Sequence, residues 1–202
     1  MKLNYLIKFG NHKIGKDTMI FNMSTATACP SKRLGLCKVV NNKTRCYAFK
    51  AEQQYKDNVL NYRENQSKYW KEKTAEEIIA DIKNIISKKK SPVKYFRFNE
   101  SGDFEEQKDI SKLSTISESI KHEFNITTYG YTARSDLNFK DCKFLVKGSG
   151  WYGPGLTGST VVINNKSELP ENYILCPGEK NSCASCDLCK TETKTNIAFI
   201  KH

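Results

Sequence analysis

The chain lacks the features that mark exported and membrane proteins. Its opening residues do not form an export signal, because Lys2, Asn4 and Lys8 interrupt the apolar stretch that such a signal needs. No run approaches the roughly 18 to 20 apolar residues that cross a membrane. Walker loops, zinc-protease helices, nucleophile elbows and histidine-rich sites are also missing from the sequence. We therefore expect a cytoplasmic protein that does not insert into membranes and in which disulfides are disfavoured.

Arginine is scarce in a chain that is otherwise strongly basic. The formal net charge is +11, but only five of the 33 basic residues are arginine. Lysine attracts phosphate diffusely, whereas arginine reads bases in bidentate geometry. The charge therefore permits nucleic acid as a partner without selecting it. The length of 202 residues is sufficient for one well-cored domain, which we assign to residues 1–202.

Cysteine, in contrast, is abundant and grouped. Seven of the eight cysteines fall into two groups, and Cys142 stands alone. We call residues 29–46 the N-terminal Cys loop and residues 176–189 the C-terminal Cys motif. Such density of thiols suits metal coordination better than disulfide geometry. The predicted metal ligands are Cys29, Cys37 and Cys46 in the first group and Cys176, Cys183, Cys186 and Cys189 in the second.

The C-terminal Cys motif has four thiols, which is a complete ligand set. Four thiolates can hold either a structural zinc or a [4Fe–4S] cluster. The run from Cys183 through Cys186 to Cys189 has two gaps of two residues. This spacing resembles that of ferredoxins, whereas zinc ribbons usually separate two pairs by a longer stretch. The motif therefore favours an iron–sulfur cluster, with zinc as the alternative.

The N-terminal Cys loop has only three thiols, separated by seven and eight residues, and no histidine between them. Three ligands leave one metal position open, and an iron at an open position can bind a substrate, a cofactor or water. The loop therefore predicts a reactive cluster. Two alternatives stay open: Cys142, a histidine or an outside ligand completes a closed four-ligand site, or the three are buried free thiols.

The periodicity of apolar residues alternates between helix and strand. An aromatic-dotted helix is predicted from residue 48 to about 72, and the capping box from Thr74 to Glu77 opens a second helix that ends before Pro92. A third helix covers about residues 110–124. Such alternation predicts an α/β fold with a mainly parallel sheet. The predicted strands are residues 93–99, 125–133, 143–147, 159–164 and 197–200.

Polar and glycine residues follow three of these strands. Sites in parallel sheets lie at the carboxyl ends of strands. This rule selects residues 100–103, Arg134 and the glycines at 148–150, although ordinary turns have the same composition. The resulting candidate cofactor-binding residues are Glu100, Ser101, Gly102, Asp103 and Arg134.

Several separated motifs resemble the bacteriophage gene product 88 family. They lie in the expected order and span nearly the whole chain. The resemblance implies a protein of a phage or mobile element, and it implies no particular reaction. The motifs are residues 27–30, 46–48, 97–104, 129–134, 176–177 and 182–189, with a Phe-Ile-Lys-His sequence at 199–202.

A more remote resemblance is to the radical S-adenosylmethionine superfamily. In that superfamily three cysteines in the loop after the first strand hold a [4Fe–4S] cluster, and the N-terminal Cys loop occupies the corresponding place. The resemblance implies a partial (β/α) barrel, with residues 100–103 contacting the cofactor's amino group and Arg97 or Arg134 holding a carboxylate or phosphate. The gaps of seven and eight residues depart from the superfamily's usual C-x3-C-x2-C spacing.

Two hypotheses therefore stand at the level of sequence. The first is an iron–sulfur protein with one open-site cluster and one four-cysteine cluster, related in architecture to radical enzymes. The second is a non-enzymatic basic module that is stapled by zinc and binds nucleic acid or a host protein. The missing fourth ligand of the N-terminal Cys loop and the polar residues at the strand ends favour the first hypothesis. Neither hypothesis identifies a substrate.

Overall fold

The structure is a computed structural model that describes residues 2–11, 13–37, 46–178 and 183–201. Outside the described residues lie His12, His202 and the middle of the N-terminal Cys loop, residues 38–45. The same holds for residues 179–182 of the C-terminal Cys motif.

The described residues form one eight-stranded sheet. Its order is β1-β2-β3-β4-β5-β6-β8-β7, and every neighbouring pair except β1 with β2 is parallel. The predicted α/β class and mainly parallel sheet are therefore confirmed. The sheet is open, with β1 and β7 at its edges. The strands are β1 (Lys8–Phe9), β2 (Thr18–Phe21), β3 (Tyr95–Phe98), β4 (Thr127–Thr132), β5 (Leu145–Ser149), β6 (Ser159–Ile163), β7 (Tyr173–Leu175) and β8 (Asn196–Ile200).

The sheet winds in one direction from β2 to β6, since each strand lies beside its predecessor in sequence. Parallel strands joined by right-handed crossovers place their connections on the same face of the sheet when the winding does not reverse. The helices are α1 (Pro30–Arg33), α2 (Tyr47–Gln54), α3 (Asn61–Glu72), α4 (Ala75–Ser87) and α5 (Gln107–Phe124), with a π-helical turn at Lys56–Leu60 and 3-10 turns at Leu3–Tyr5 and Lys166–Glu168.

Local signals in the sequence explain where the longer helices begin and end. The Thr74 side chain accepts a hydrogen bond from the Glu77 N–H, and the Glu77 side chain accepts one from the Thr74 N–H. The predicted capping box therefore opens α4. This helix ends at Ser87, before Lys88, Lys89 and Lys90. α5 ends at Asn125, which adopts the left-handed conformation with a φ of 54°. The predicted helix from residue 48 is divided into α2, the π-helical turn and α3.

The two faces of the sheet differ in chemistry. One face packs against the helices and forms the apolar core, in which Phe98 contacts the rings of Phe104 and Phe144 at centroid distances of 5.4 and 5.1 Å. Burying a side chain of this size contributes about 2 to 3 kcal/mol. Strand alternation turns the intervening side chains to the other face. On β3, β4 and β5 these side chains are Tyr95, Arg97, Tyr129, Tyr131 and Lys147.

This second face is concave. Tyr131 on β4 and Phe199 on β8 have ring centroids 6.5 Å apart, although β5 and β6 lie between their strands. Adjacent strands are about 4.8 Å apart, so a flat sheet would separate the two strands by about 14 Å. The short distance between the rings indicates that the sheet curls toward this side. We call the surface formed by Tyr95, Arg97, Tyr129, Tyr131 and Lys147 the concave face.

Three strands were not predicted from the sequence. β2 is the most important of them, because it is the first strand of the parallel series. All four of its residues, Thr18–Phe21, are buried, so the segment shows no alternation of polar and apolar residues. β1 and β7 are only two and three residues long and lie at or near the edges. Among the described residues, no helix has the length and apolar character needed to span a bilayer.

Candidate metal centre and the concave face

The four thiols of the C-terminal Cys motif lie within electrostatic range of one another. Cys176 follows β7, and the other three belong to the segment that leads to β8. Burial raises the pKa of Cys176, and so do the electrostatic effects of Cys183 and Cys186. The pKa of Cys189 is raised in the same way, by burial and by its proximity to Cys176 and Cys183. Mutual repulsion keeps such thiols protonated when they are free, whereas a bound cation would favour their thiolate forms.

The motif packs on the concave face through Asp187 and the adjoining Lys190, which both follow Cys186. The Tyr95 hydroxyl donates to Asp187 over 3.2 Å, and Lys190 lies 4.3 Å from the centre of the Tyr95 ring. Lys190 also donates to the Cys183 carbonyl over 3.2 Å and forms an ion pair with Asp187 at 3.1 Å. These contacts hold the motif against β3.

Tyr131 gives the motif a second attachment, on β4. Its hydroxyl donates a hydrogen bond to the Cys189 thiol, and the buried ammonium of Lys147 interacts electrostatically with the same sulfur. Both groups stabilise negative charge on Cys189. Tyr131 and Lys147 are residues that the sequence analysis did not select, since their contact with the motif depends on the folded sheet.

The N-terminal Cys loop begins beyond the carboxyl end of β2. Cys29 directly precedes α1, and Cys46 directly precedes α2. Burial raises the pKa of Cys29 to about 12, with further contributions from Asp103 and from Cys37. Cys29 therefore lies within electrostatic range of Cys37. Lys32 of α1 lies 4.0 Å from the centre of the Phe49 ring of α2, so the two short helices are neighbours.

The donor atoms suit a metal in kind, but the described residues do not form a finished coordination sphere. All eight cysteines lie within the described residues, are partly buried and form no disulfide there. Within residues 2–11, 13–37, 46–178 and 183–201, no three histidine, cysteine, aspartate or glutamate side chains are arranged to hold a metal ion. The proximity of the C-terminal thiols fits a thiolate-bound centre, and the predicted metal ligands stay a prediction.

Asp103 holds three loops together at the carboxyl edge of the sheet. Its carboxylate accepts from the Ser31 hydroxyl at 2.6 Å, the Thr132 hydroxyl at 2.7 Å and the Ala133 N–H at 2.8 Å. Burial raises the pKa of Asp103, although these hydrogen bonds oppose the shift. The group thus connects the N-terminal Cys loop with the segments that follow β3 and β4.

Two other predicted cofactor-binding residues are also buried in this edge or closely packed within it. The Ser101 N–H donates to Asn22 and its hydroxyl donates to Glu52, both over 2.9 Å. Gly102 has a φ of +76°, and a Cβ atom there would lie 2.4 Å from the Ser24 carbonyl oxygen. Only glycine fits this position. Glu100 is partly exposed, and its side chain accepts from Asn11 over 2.6 Å.

Arg134 is also engaged within the protein. Its Nη1 donates to the carbonyls of Phe104 and Glu105, and its Nε and Nη2 each bind the Asp136 carboxylate at 2.7 Å. This arrangement occupies both edges of the guanidinium. These contacts do not test the prediction that residues 100–103 and Arg134 bind a cofactor. They show that most of the polar atoms of these residues already have partners.

Glu52, in α2 just after the N-terminal Cys loop, is a buried carboxylate that the sequence analysis missed. It is 1 % exposed and accepts from the N–H groups of Ala26 and Thr27, the hydroxyls of Thr27 and Ser101, and Arg63, all within 2.9 Å. Burial acts to raise its pKa, but the hydrogen bonds outweigh that effect and hold the pKa below its ordinary value. No sequence signal marks this residue, since its partners come from three separate segments.

Arg97 occupies the centre of the concave face. Its guanidinium carbon lies 5.7 Å from the centre of the Tyr131 ring, and its Nε is buried without a hydrogen-bond partner. It interacts electrostatically with Tyr47, Tyr129 and Tyr131. Tyr47 follows Cys46, and Tyr131 binds Cys189. Arg97 therefore lies between residues that contact or adjoin the two groups of cysteines.

Comparisons with known proteins give one positive result. The family model described as "Gene product 88" matches residues 5–199, which is nearly the whole chain. No curated protein and no solved structure matches the chain.

Proposed function

We propose that this chain, which belongs to the gene product 88 family, is an iron–sulfur protein whose C-terminal Cys motif binds one cluster. The observation that carries the proposal is the proximity of four thiols, Cys176, Cys183, Cys186 and Cys189, in one segment packed on the concave face. A cluster would relieve the mutual repulsion of the thiolates. The spacing of two residues between the last three favours iron over zinc.

The N-terminal Cys loop is proposed to bind a second [4Fe–4S] cluster, with one iron open to S-adenosylmethionine. Three features support this. The loop follows the first parallel strand, the interaction between Cys29 and Cys37 brings two of its thiols together, and the segment at 100–103 lies beside it. When bound, such a cluster supplies the electron that cleaves S-adenosylmethionine to a carbon radical.

A partial (β/α) barrel is the architecture proposed to accompany this chemistry. The sheet winds in one direction from β2 to β6, as in a segment of a barrel, and its second face is concave. In such folds the reacting groups meet at the carboxyl ends of the strands. The loops after β2, β3 and β4 converge there on the buried Asp103, whose hydrogen bonds fix their relative positions.

The first experiment is a measurement of iron, sulfide and zinc in protein purified without oxygen, with a visible spectrum before and after addition of S-adenosylmethionine. About eight irons and eight sulfides per chain, with a spectral response to the cofactor, would support both clusters. About four irons without a response would retain the C-terminal cluster alone. One zinc and no sulfide would overturn the proposal in favour of a zinc-stapled binding module.

The variant Cys46→Ala tests the open-site cluster separately. It removes one of three ligands, so we expect the iron content to fall by about half while the C-terminal cluster stays intact. The matched control is Cys142→Ala, which removes the thiol outside both groups. An unchanged iron count in Cys46→Ala would refute the N-terminal site, and a fall in the control would show that Cys142 is a ligand.

A further inference from the structure

Arg97 differs from the other described arginines in its charge balance. Arg33 pairs with Glu105, Arg63 with Glu52 and Arg134 with Asp136. Among the ion pairs that the described residues form, none involves Arg97. The carboxylate of Glu100 acts on Arg97 electrostatically without forming an ion pair with it. A partly buried cation that lacks an ion-pair partner is costly, and proteins normally satisfy it with a carboxylate or a bound anion.

The surroundings of Arg97 stabilise its charge only in part. Contact with the Tyr131 ring is a cation–π interaction, but it occupies no N–H group. The buried Nε still lacks an acceptor. Nε and the adjacent Nη form the edge of a guanidinium that binds a carboxylate or phosphate through two parallel hydrogen bonds. The unfilled edge is therefore the one suited to an oxyanion.

Solvent reaches part of the Arg97 side chain, which is partly exposed although its Nε is buried. Tyr47 is 67 % exposed and interacts electrostatically with Arg97. The Tyr47 hydroxyl donates to the Glu100 carbonyl over 2.7 Å, which holds the ring in place. A small ligand can therefore reach the exposed part of the Arg97 guanidinium.

We propose that Arg97 anchors an oxyanion group, a carboxylate or a phosphate, of a small-molecule ligand that binds on the concave face. Tyr131 holds the guanidinium plane and Tyr47 borders the entrance. The other candidate, Arg134, is excluded from this role because Asp136 and two carbonyls already fill its donors. The site uses no metal ligand, so it stands or falls separately from the cluster assignment.

The test is the thermal stability of the purified holoprotein in inorganic phosphate or in glutarate, with chloride at equal ionic strength as the reference. We expect a saturable rise in Tm with at least one probe beyond the effect of chloride. Phosphate alone points to a phosphorylated ligand and glutarate alone to a carboxylic acid. A response to neither probe would overturn the proposal.

Variants assign the effect to Arg97. Arg97→Gln should abolish it, and Arg97→Lys, which keeps the charge but loses the two-bond edge, should bind the probe about tenfold more weakly. Arg33→Gln is the matched control, because Arg33 is an exposed arginine whose loss should leave binding unchanged. Unchanged affinity in Arg97→Lys, or a retained response in Arg97→Gln, would contradict the site. If Arg97→Gln does not fold, Arg97→Lys decides.

Iron content measured on the same samples keeps the two proposals apart. A lost response to phosphate or glutarate with unchanged iron concerns the anion site alone. A normal response in protein without iron would refute the clusters and leave the anion site standing.

Discussion

The N-terminal Cys loop and the C-terminal Cys motif are held in place by different means. Of the loop's described residues, Ser31 donates to the buried Asp103, while Glu52, in the helix after the loop, accepts from Ala26 and Thr27 just before it. The motif is fixed by side chains of the concave face, with Tyr95 and Tyr131 bonding to it from neighbouring strands. The described ends of the loop are therefore positioned by buried carboxylates without a metal, whereas the motif relies on side chains of the concave face and has four thiols that repel one another. A bound centre should matter more to the stability of the motif.

The largest expected effect comes from removing two thiols of the C-terminal Cys motif. Cys183→Ser with Cys186→Ser should eliminate one metal centre and lower the free energy of unfolding by several kcal/mol, since a thiolate site contributes folding energy directly. Chemical denaturation and metal analysis measure the two effects. Cys142→Ser is the control for loss of a thiol outside the groups. Normal stability together with full metal content in the double variant would remove the C-terminal site.

The second effect concerns Glu52, the buried carboxylate that follows the N-terminal Cys loop. Glu52→Gln leaves Arg63 without its counter-charge and places an amide group among N–H donors, so we expect a loss of about 3 to 5 kcal/mol. Denaturant unfolding at neutral pH measures it. Glu105→Gln, at an exposed ion pair with Arg33, should cost less than about 1 kcal/mol and serves as the control.

The same carboxylate predicts a dependence of stability on pH. The folded pKa of Glu52 lies below its ordinary value of 4.5, so its contribution is fully present above about pH 4.5 and is lost as pH falls through the folded pKa. The stability difference between wild type and Glu52→Gln should therefore shrink in acid. A constant difference from neutral pH down to strongly acidic pH would contradict the role of its ionised form.

The smallest expected effect sharpens the contrast from the side of the C-terminal Cys motif. Tyr131→Phe removes the hydrogen bond to Cys189 and should cost about 0.5 to 1.5 kcal/mol. A donor to a ligating sulfur favours the reduced, more negative cluster, so its loss should make the reduction potential of the cluster more negative. Tyr129→Phe is the control, because Tyr129 interacts with Cys189 electrostatically rather than through a hydrogen bond. Equal potentials in the Tyr131 variant and wild type would show that the bond does not reach the cluster.

Local signals predicted much of the fold but little of the site's surroundings. The capping box at Thr74 and the isoleucine stripe that follows it predicted α4, and short apolar runs predicted β3 to β6 and β8. β2 escaped because a buried four-residue strand has neither alternation nor length. Its omission hid the fact that the N-terminal Cys loop follows a strand of the central sheet.

The cysteines themselves were visible in the sequence, but their partners were not. Tyr131 is 58 residues from Cys189 along the chain, and Glu52 is 49 residues from Ser101. Such pairings arise from the order of the strands, which no short-range pattern specifies. Sequence reasoning also weighed Arg97 and Arg134 together. Only the contacts in the folded protein distinguish an arginine whose donors are filled from one whose Nε is not.

The strand order has a consequence for how the protein is assembled. β8 lies between β6 and β7, although both precede it in the chain, so β7 has no partner in the sheet until β8 arrives. Insertion of β8 also closes the segment that carries Cys183, Cys186 and Cys189 and lays it over the concave face. Sheet completion and the gathering of the C-terminal thiols therefore depend on the same strand, β8.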